Sequence, residues 1–144
     1  MNDPGVRIAE IDVDTAAYHE GHIVGALGWD WTLQLCDTVR RDILSKEAFE
    51  GLMKASGITP ESTVVLYGDN NNWFAAWAFW QMKIYGHADV RLMNGGRRKW
   101  IEEGREMTDA LPAPTPTSYV SQRFDSGQRA FLADVLETVR AHAA

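Results

Sequence analysis

The fold of this chain is decided by residues Thr63–Tyr85, which read TVVLYGDNNNWFAAWAFWQMKIY. The β-branched and aromatic run Thr63–Tyr67 predicts a short buried strand. The next five residues, GDNNN, are of the types that form turns and cap helices. Trp73–Tyr85 contains no glycine or proline and is apolar on nearly all sides, so it predicts a buried helix. The stretch is therefore a strand that turns tightly into a helix.

A tight turn from strand to helix points backbone N–H groups at one place, with the positive end of the helix dipole behind them. Such a turn can hold an anion or lower the pKa of a nucleophilic cysteine. Asp69 is itself an anion and would repel an anionic substrate from this turn. No cysteine lies in the turn, so its residues predict a structural corner with no catalytic residue. The candidate loop consists of Gly68, Asp69, Asn70, Asn71, Asn72 and Trp73.

Strand and helix patterns alternate along much of the remaining sequence. Val6–Ile11 predicts a strand, and Ser45–Ser56 predicts an amphipathic helix that Ser45 caps. Val90–Met93 predicts a further strand, followed by a helix over Arg97–Glu103. Because alternating strands and helices form parallel sheets, we expect an α/β fold with a parallel sheet and helices on both faces.

Two groups of side chains in this pattern invite interpretation. Trp73, Trp77 and Trp80 recur at helical spacing on the central helix, which is typical of core packing. The basic run Arg97–Lys99 opens the last predicted helix of this unit. We interpret the run as a solvated face, with a docking surface as the alternative.

Composition excludes several function classes. The formal net charge of −6 disfavours nucleic acid and anionic membranes as partners, and no apolar run is long enough to span a bilayer. Without a signal-peptide pattern, and with Cys36 as the single cysteine, the sequence favours a reducing cytoplasm. Asp37 follows Cys36 and would raise its pKa, so we interpret the thiol as incidental.

No metal or cofactor is predicted. Asp12, His19 and His22 are of types that bind zinc, but their spacing matches no zinc motif. We expect His22 to be a hydrogen-bonded structural residue.

Three motifs resemble the rhodanese family, in order along most of the chain. They are GHIVGA at 21–26, YGDNNNWFAA at 67–76, and GHADVRLMNGG at 86–96 followed by Trp100 and Gly104. The chain most resembles the N-terminal, non-catalytic half of a two-domain thiosulfate sulfurtransferase. The resemblance implies a rhodanese-like fold. It places Gly68 at the position of the family's catalytic cysteine and Asp69 at that of the adjacent arginine. Asp12 resembles an acidic residue that fixes loops by hydrogen bonds.

The function implied by the resemblance is sulfane sulfur transfer from thiosulfate through a persulfide, with this chain as a non-catalytic structural and docking half. The implied partner is a catalytic rhodanese domain, in cis or in trans, or a second copy in a swapped homodimer. Two alternatives stay open. The chain could be an independently active sulfurtransferase that uses Cys36, or a module that binds a small anion without covalent chemistry.

The predicted organisation has three parts: a rhodanese-like domain at 4–108, a proline-rich linker at 109–127 and a helical segment at 128–144. Arg129–Leu136 resembles the opening element of a second rhodanese domain, while the first strand at Val6 lacks such an element before it. We therefore expect Phe131–His142 to occupy the place of that element, in its own domain or in a neighbouring copy. The alternative is a truncated two-domain protein with a disordered tail.

Overall fold

The structure is a computed structural model that describes residues 3–143, so Met1, Asn2 and the last residue of the predicted helical segment, Ala144, lie outside it. Two sheets and six α-helices make up the described part of the chain. The strands are β1 (Val6–Asp12), β2 (His22–Ile23), β3 (Leu27–Asp30), β4 (Thr63–Tyr67), β5 (Val90–Leu92) and β6 (Met107–Thr108). The helices are α1 (Ala16–Glu20), α2 (Trp31–Gln34), α3 (Lys46–Ala55), α4 (Trp73–Ile84), α5 (Gly96–Glu102) and α6 (Leu132–His142).

The main sheet has four strands in the order β3-β1-β4-β5, and all three pairings are parallel. The predicted α/β fold with a parallel sheet is confirmed. The central strands β1 and β4 are covered on both faces, which explains why Thr63–Tyr67 is a continuous apolar run rather than an alternating one. Strand β4 and helix α4 begin at the predicted residues, and α4 ends one residue before Tyr85.

The larger core lies between one face of the sheet and helices α3 and α4. Residues of β1 that point to this face, such as Ala9 and Ile11, are completely buried. Helix α3 brings Phe49 and Met53 to the same core, and its N-terminus is capped as predicted, because Ser45 Oγ accepts a hydrogen bond from the Ala48 N–H.

The opposite face of the sheet carries α5 and a small antiparallel sheet of β2 and β6. Tyr67, at the end of β4, is fully buried here and lies beside Ile23 and Trp100. The Tyr67 hydroxyl accepts a hydrogen bond from the Ile23 N–H at 3.1 Å. This contact ties the GHIVGA segment to the end of the central strand.

The segment at 109–127 runs extended over the end of the domain as a strap. It is held at Thr117, whose N–H donates to Lys54 O at 3.0 Å, and at Asp125, whose N–H donates to Ile84 O at 2.6 Å. Between them Tyr119 is 1% exposed and hydrogen-bonded to His87. The segment therefore contributes a buried residue to the core of the domain.

Helix α6 follows the strap, and every one of its residues is exposed. Its apolar stripe is uncovered, with Leu132 at 74% exposure and Val139 at 57%. The expectation that this segment fills a place within its own domain is wrong, because such a place would bury the stripe.

Candidate functional site

The candidate loop lies at the edge of the sheet where the parallel strands end. Asp12 ends β1, Gly68 follows β4, and Gly95 comes soon after β5. Because these strands are neighbours, their ends meet at one place, which is where open α/β sheets bind ligands. The fold therefore places the candidate loop where an α/β protein of this type would bind a ligand.

Three consecutive asparagines form a left-handed turn within the loop. The φ angles of Asn70, Asn71 and Asn72 are 52°, 57° and 63°. Asparagine is among the few residues other than glycine that tolerate this region. Asn72 also fixes the loop, because its Oδ1 accepts from the Gly68 N–H at 3.0 Å and its Nδ2 donates to Met93 O at 2.7 Å. The asparagine run is thus explained by backbone conformation and by hydrogen bonds that close the loop.

Gly68 has no room for a side chain. A Cβ atom added there would lie 2.3 Å from Ile11 O and 3.2 Å from Asp12 Oδ1. The first distance is far shorter than any ordinary contact, and its partner is backbone that cannot rotate away. The position that resembles the family's cysteine is therefore closed by strand β1, in addition to lacking a sulfur atom.

A buried ion pair lies behind the loop. Arg97 Nη1 donates to Glu10 Oε1 and Oε2 at 2.8 and 2.9 Å, and its Nη2 donates to Ala17 O at 3.1 Å. Glu10 is 1% exposed and Arg97 is 8% exposed. The interpretation of Arg97 as part of a solvated face is wrong, because a carboxylate buried on β1 requires a cation beside it. Sequence reasoning missed the pair, although a glutamate inside a buried strand is a usable signal.

Asp12 is a second buried carboxyl group at this site. It is 5% exposed, and its Oδ1 accepts from the Asp69 N–H at 3.0 Å. Its Oδ2 is buried without a hydrogen-bond partner among the described residues. Burial is the main cause that raises the pKa of Asp12 to about 7; the hydrogen bond from the Asp69 N–H lowers this pKa, and the neighbouring Glu10 and Asp69 carboxylates raise it. Asp12 thus fixes the loop, as the resemblance implies, with a carboxyl group that titrates near neutral pH.

The outer surface of the loop borders an open groove of about 750 Å³. The Asp69 side chain, 45% exposed, contributes a negative charge there. On the opposite wall Arg98 is paired with Glu102 at 2.8 Å, while Lys99 stands next to it. The groove therefore carries charges of both signs and lacks the concentrated positive charge that an anion site requires.

Cys36 lies away from the loop. The preceding carbonyl, Leu35 O, accepts hydrogen bonds from Trp77 Nε1 at 2.9 Å and Gln81 Nε2 at 2.7 Å. These partners stand about one and two turns beyond the N-terminus of α4, so Cys36 is beside the body of the helix rather than at its positive end. Burial raises the pKa of the Cys36 thiol, which opposes thiolate formation.

An aromatic groove of about 400 Å³ lies on the other side of α4, next to the loop. Trp73, the first residue of the helix, is 73% exposed, whereas Trp77 and Trp80 are half-buried. The interpretation of all three as core residues is wrong for Trp73, because the apolar pattern does not show which side of α4 faces the sheet. The groove is lined by Trp31, Trp73, Phe74, Ala76, Trp77 and Trp80.

The residues considered for metal binding have structural roles or stand apart. His22 is fully buried, and its two ring nitrogens lie 2.7 Å from Tyr18 O and 2.9 Å from Ala110 O. Between residues 3 and 143 no three His, Cys, Asp or Glu side chains are grouped so that they could bind a metal ion. None of the helices in that range has the length and apolarity needed to cross a membrane.

Comparison with known proteins gives a consistent picture. Residues 1–103 match the family model described as a rhodanese-like domain. The chain is 50% identical over 139 residues to a Saccharopolyspora erythraea protein named as a thiosulfate sulfurtransferase, covering 96% of this chain and 50% of that protein. It is equally 50% identical over 139 residues to the sulfur carrier protein TtuD of Thermus thermophilus, covering 96% of this chain and 49% of that protein.

The fold also matches a solved structure. SseA of Escherichia coli, described as a 3-mercaptopyruvate sulfotransferase, superposes with a TM-score of 0.84 at 20% identity, covering 99% of this chain and 58% of that chain. At that identity the match concerns the fold alone. The chain spans about half the length of the curated relatives it matches.

Proposed function

Because this chain belongs to the rhodanese family, we propose that it is the non-catalytic docking half of a thiosulfate sulfurtransferase. Residues 4–108 form the docking unit, 109–127 the strap and 128–144 the start of a further element. The catalytic half carries the reactive cysteine. There the cysteine thiolate attacks the sulfane sulfur of thiosulfate, sulfite leaves, and the resulting persulfide passes its outer sulfur to a thiophile such as cyanide.

The observation that carries this proposal is the closed position of Gly68. Persulfide chemistry needs a thiolate surrounded by N–H groups at the end of β4. In this chain strand β1 lies 2.3 Å from the place where a Cβ would begin, and two of the loop N–H groups are already bound by Asn72 and Asp12. These contacts support a structural role for the corner between β4 and α4.

A docking role is supported by the apolar surface that the fold leaves open. The aromatic groove beside the loop and the stripe of α6 both face solvent. Burying a large apolar side chain contributes about 1.5–3 kcal/mol, so covering three residues of the stripe would contribute several kcal/mol. The partner is a catalytic rhodanese domain in cis or in trans, or a second copy that exchanges α6 in a swapped homodimer.

The two alternative functions receive little support from the site. Use of Cys36 would require a thiol beside the loop, whereas its raised pKa and its place along α4 oppose reactivity. Non-covalent binding of a small anion would require a positive groove, and the Asp69 carboxylate lies in it.

The test is thiocyanate formation from thiosulfate and cyanide. We expect no activity from the purified chain or from Cys36→Ala. Activity should appear on adding the half of the Saccharopolyspora erythraea relative that this chain does not align with, above the level of that half alone. Activity of the chain alone that vanishes in Cys36→Ala would overturn the proposal, as would a half whose activity the chain does not change.

Measuring the oligomeric state in solution distinguishes a swapped homodimer from a separate catalytic half as the partner. A chain that dimerises through α6 should become monomeric when residues 125–144 are deleted. A chain that is monomeric with or without this segment excludes the swapped homodimer and leaves the catalytic half as the partner.

A further inference from the structure

The aromatic side chains of the groove form one continuous row. Neighbouring ring centroids lie between 5.2 and 6.1 Å apart along its whole length, within the range of favourable aromatic contacts. Three of the four contacts are tilted or edge-on, and the fourth, between Trp73 and Phe74, is stacked. In order, the row is Trp80, Trp77, Trp31, Phe74 and Trp73.

One end of this row already holds a guanidinium group. Arg129 lies 5.8 Å from the ring centroid of Trp80 and 4.5 Å from that of Phe131, and it is fixed there by a 2.7 Å hydrogen bond to Asp42. These distances are within the range of a cation–π interaction. The chain thus shows how an arginine sits on this aromatic surface.

The other end of the row has no such partner. Elsewhere the chain places its own cations over aromatic rings, for example Arg105 at 5.3 Å from the centroid of the half-buried Trp100. Among residues 3–143 no cation lies over the faces of Trp31, Trp73 or Phe74. The open end is therefore an aromatic surface that lacks the type of group found at Trp80.

Two acidic residues stand near the open end along the chain. Asp30 immediately precedes Trp31 and caps α2 with its carboxylate, which accepts from the Thr32 and Leu33 N–H groups. Asp69 stands in the loop four residues before Trp73; its side chain is 45% exposed, and its Oδ2 lies 3.9 Å from Arg97 Nε. Aromatic faces and carboxylates both attract cations, so the charge complementarity favours a cationic occupant.

We propose that the open end of the aromatic row, at Trp31, Trp73 and Phe74, binds the guanidinium of an arginine that the partner protein presents. The inference rests on the proposed docking function and names its recognition chemistry. Arginine fits better than lysine because its planar, weakly hydrated guanidinium stacks on aromatic rings while its N–H groups reach neighbouring carboxylates. The arginine would extend the arrangement that Arg129 makes at the opposite end.

The test uses a peptide probe and the isolated chain. N-acetyl-Gly-Arg-Gly-amide is titrated into the tens of millimolar while the indole N–H resonances of the six tryptophans are followed by NMR. The matched neutral probe has citrulline in place of arginine. We expect saturable shifts at Trp31 and Trp73 with the arginine peptide, and little change at Trp29, which is 2% exposed.

Substitutions show whether the peptide binds at the open end of the aromatic row or at another surface. Trp73→Leu should weaken binding about 5- to 30-fold, the range expected from losing a cation–π contact, while Trp73→Phe should retain most of it. Trp73 is exposed, so neither change should unfold the chain. Phe131→Leu removes an exposed ring at the occupied end and should leave peptide binding unchanged.

Equal shifts with the citrulline peptide would overturn the proposal, as would a Trp73→Leu variant that binds normally or an absence of shifts along the row. Reconstitution of sulfurtransferase activity is scored separately. Reconstitution without arginine binding rejects only the arginine site, whereas arginine binding without reconstitution rejects only the docking function.

Discussion

Replacing Asp12 with asparagine should make this protein more stable at neutral and basic pH. Asp12 is 5% exposed, its Oδ2 has no partner among the described residues, and its neighbours Glu10 and Asp69 are also acidic. The buried cation of this site, Arg97, is already bound to Glu10 by two hydrogen bonds. Ionising Asp12 therefore places a second negative charge in a site whose positive charge is in use.

The magnitude follows from the pKa. Burial raises the pKa of Asp12 from 3.8 to about 7 in the folded protein. Between these values the folded state binds more protons than the unfolded state, so stability falls as pH rises from about 4 to about 7. The whole loss corresponds to about 4 kcal/mol, since each pKa unit is worth about 1.4 kcal/mol. Above pH 7 the loss is complete.

Asp12→Asn removes the charge and keeps the oxygen that accepts from the Asp69 N–H. We expect the free energy of unfolding to rise by about 2–4 kcal/mol at pH 8, with the gain fading to near zero at pH 4. Urea denaturation at several pH values measures both. The matched control is Asp14→Asn, an exposed aspartate just after β1, which should show no such trend. A gain that does not vary with pH, or a loss of stability at pH 8, would refute the reasoning.

Three further predictions concern the site and the strap. Gly68→Cys should not create thiosulfate sulfurtransferase activity and should cost about 2 kcal/mol or more in urea denaturation, whereas Gly51→Ala, with nothing within 4 Å, should be neutral or stabilising. Arg97→Met should cost about 3–5 kcal/mol because it leaves a buried carboxylate unpaired, while Arg98→Met, whose side chain is 84% exposed, should change stability by less than about 0.5 kcal/mol. Burial lowers the pKa of His87 below its usual 6.5, so the unfolded state binds its proton first, and stability should fall as pH drops below about 6.5. His87→Gln should abolish that part of the acid sensitivity, and an unchanged pH profile would argue against it.

Local patterns predicted the elements around the central strand because those elements are set by short stretches of sequence. The apolar run at Thr63–Tyr67 and the Ser45 cap both depend on neighbours within a few residues, and both were found as predicted. The loop without a cysteine could likewise be read directly. These are features for which propensity and tertiary packing agree.

The missed features depend on residues distant in sequence. The Glu10–Arg97 ion pair joins residues that are 87 positions apart in sequence. The basic run 97–99 does not indicate that the Arg97 side chain points into the protein while the next two residues face solvent. The buried Tyr119 hydroxyl is hydrogen-bonded to His87 Nδ1. No pattern in a proline-rich segment predicts such a contact. Nε2 of His87 donates to Ser62 O, so its Nδ1 is left to accept from Tyr119, and this tautomer follows only from the structure. Trp73 was misplaced for a related reason, since a helix that is apolar on all sides does not show which ring meets solvent.

The strap reduces the entropy that helix α6 would lose on binding to another surface. The strap is held at Thr117, Tyr119 and Asp125. The two residues that follow it are held as well, because Trp80 Nε1 donates to Gln128 O and Arg129 binds Asp42. Helix α6 starts three residues after Arg129, a reach of about 10 Å even when fully extended. Helix α6 is therefore presented from a nearly fixed origin, at a high effective concentration over one side of the domain. Most of the translational freedom that a loosely tethered helix would lose on binding has already been lost in folding, so the uncovered stripe is preorganised for the docking proposed above.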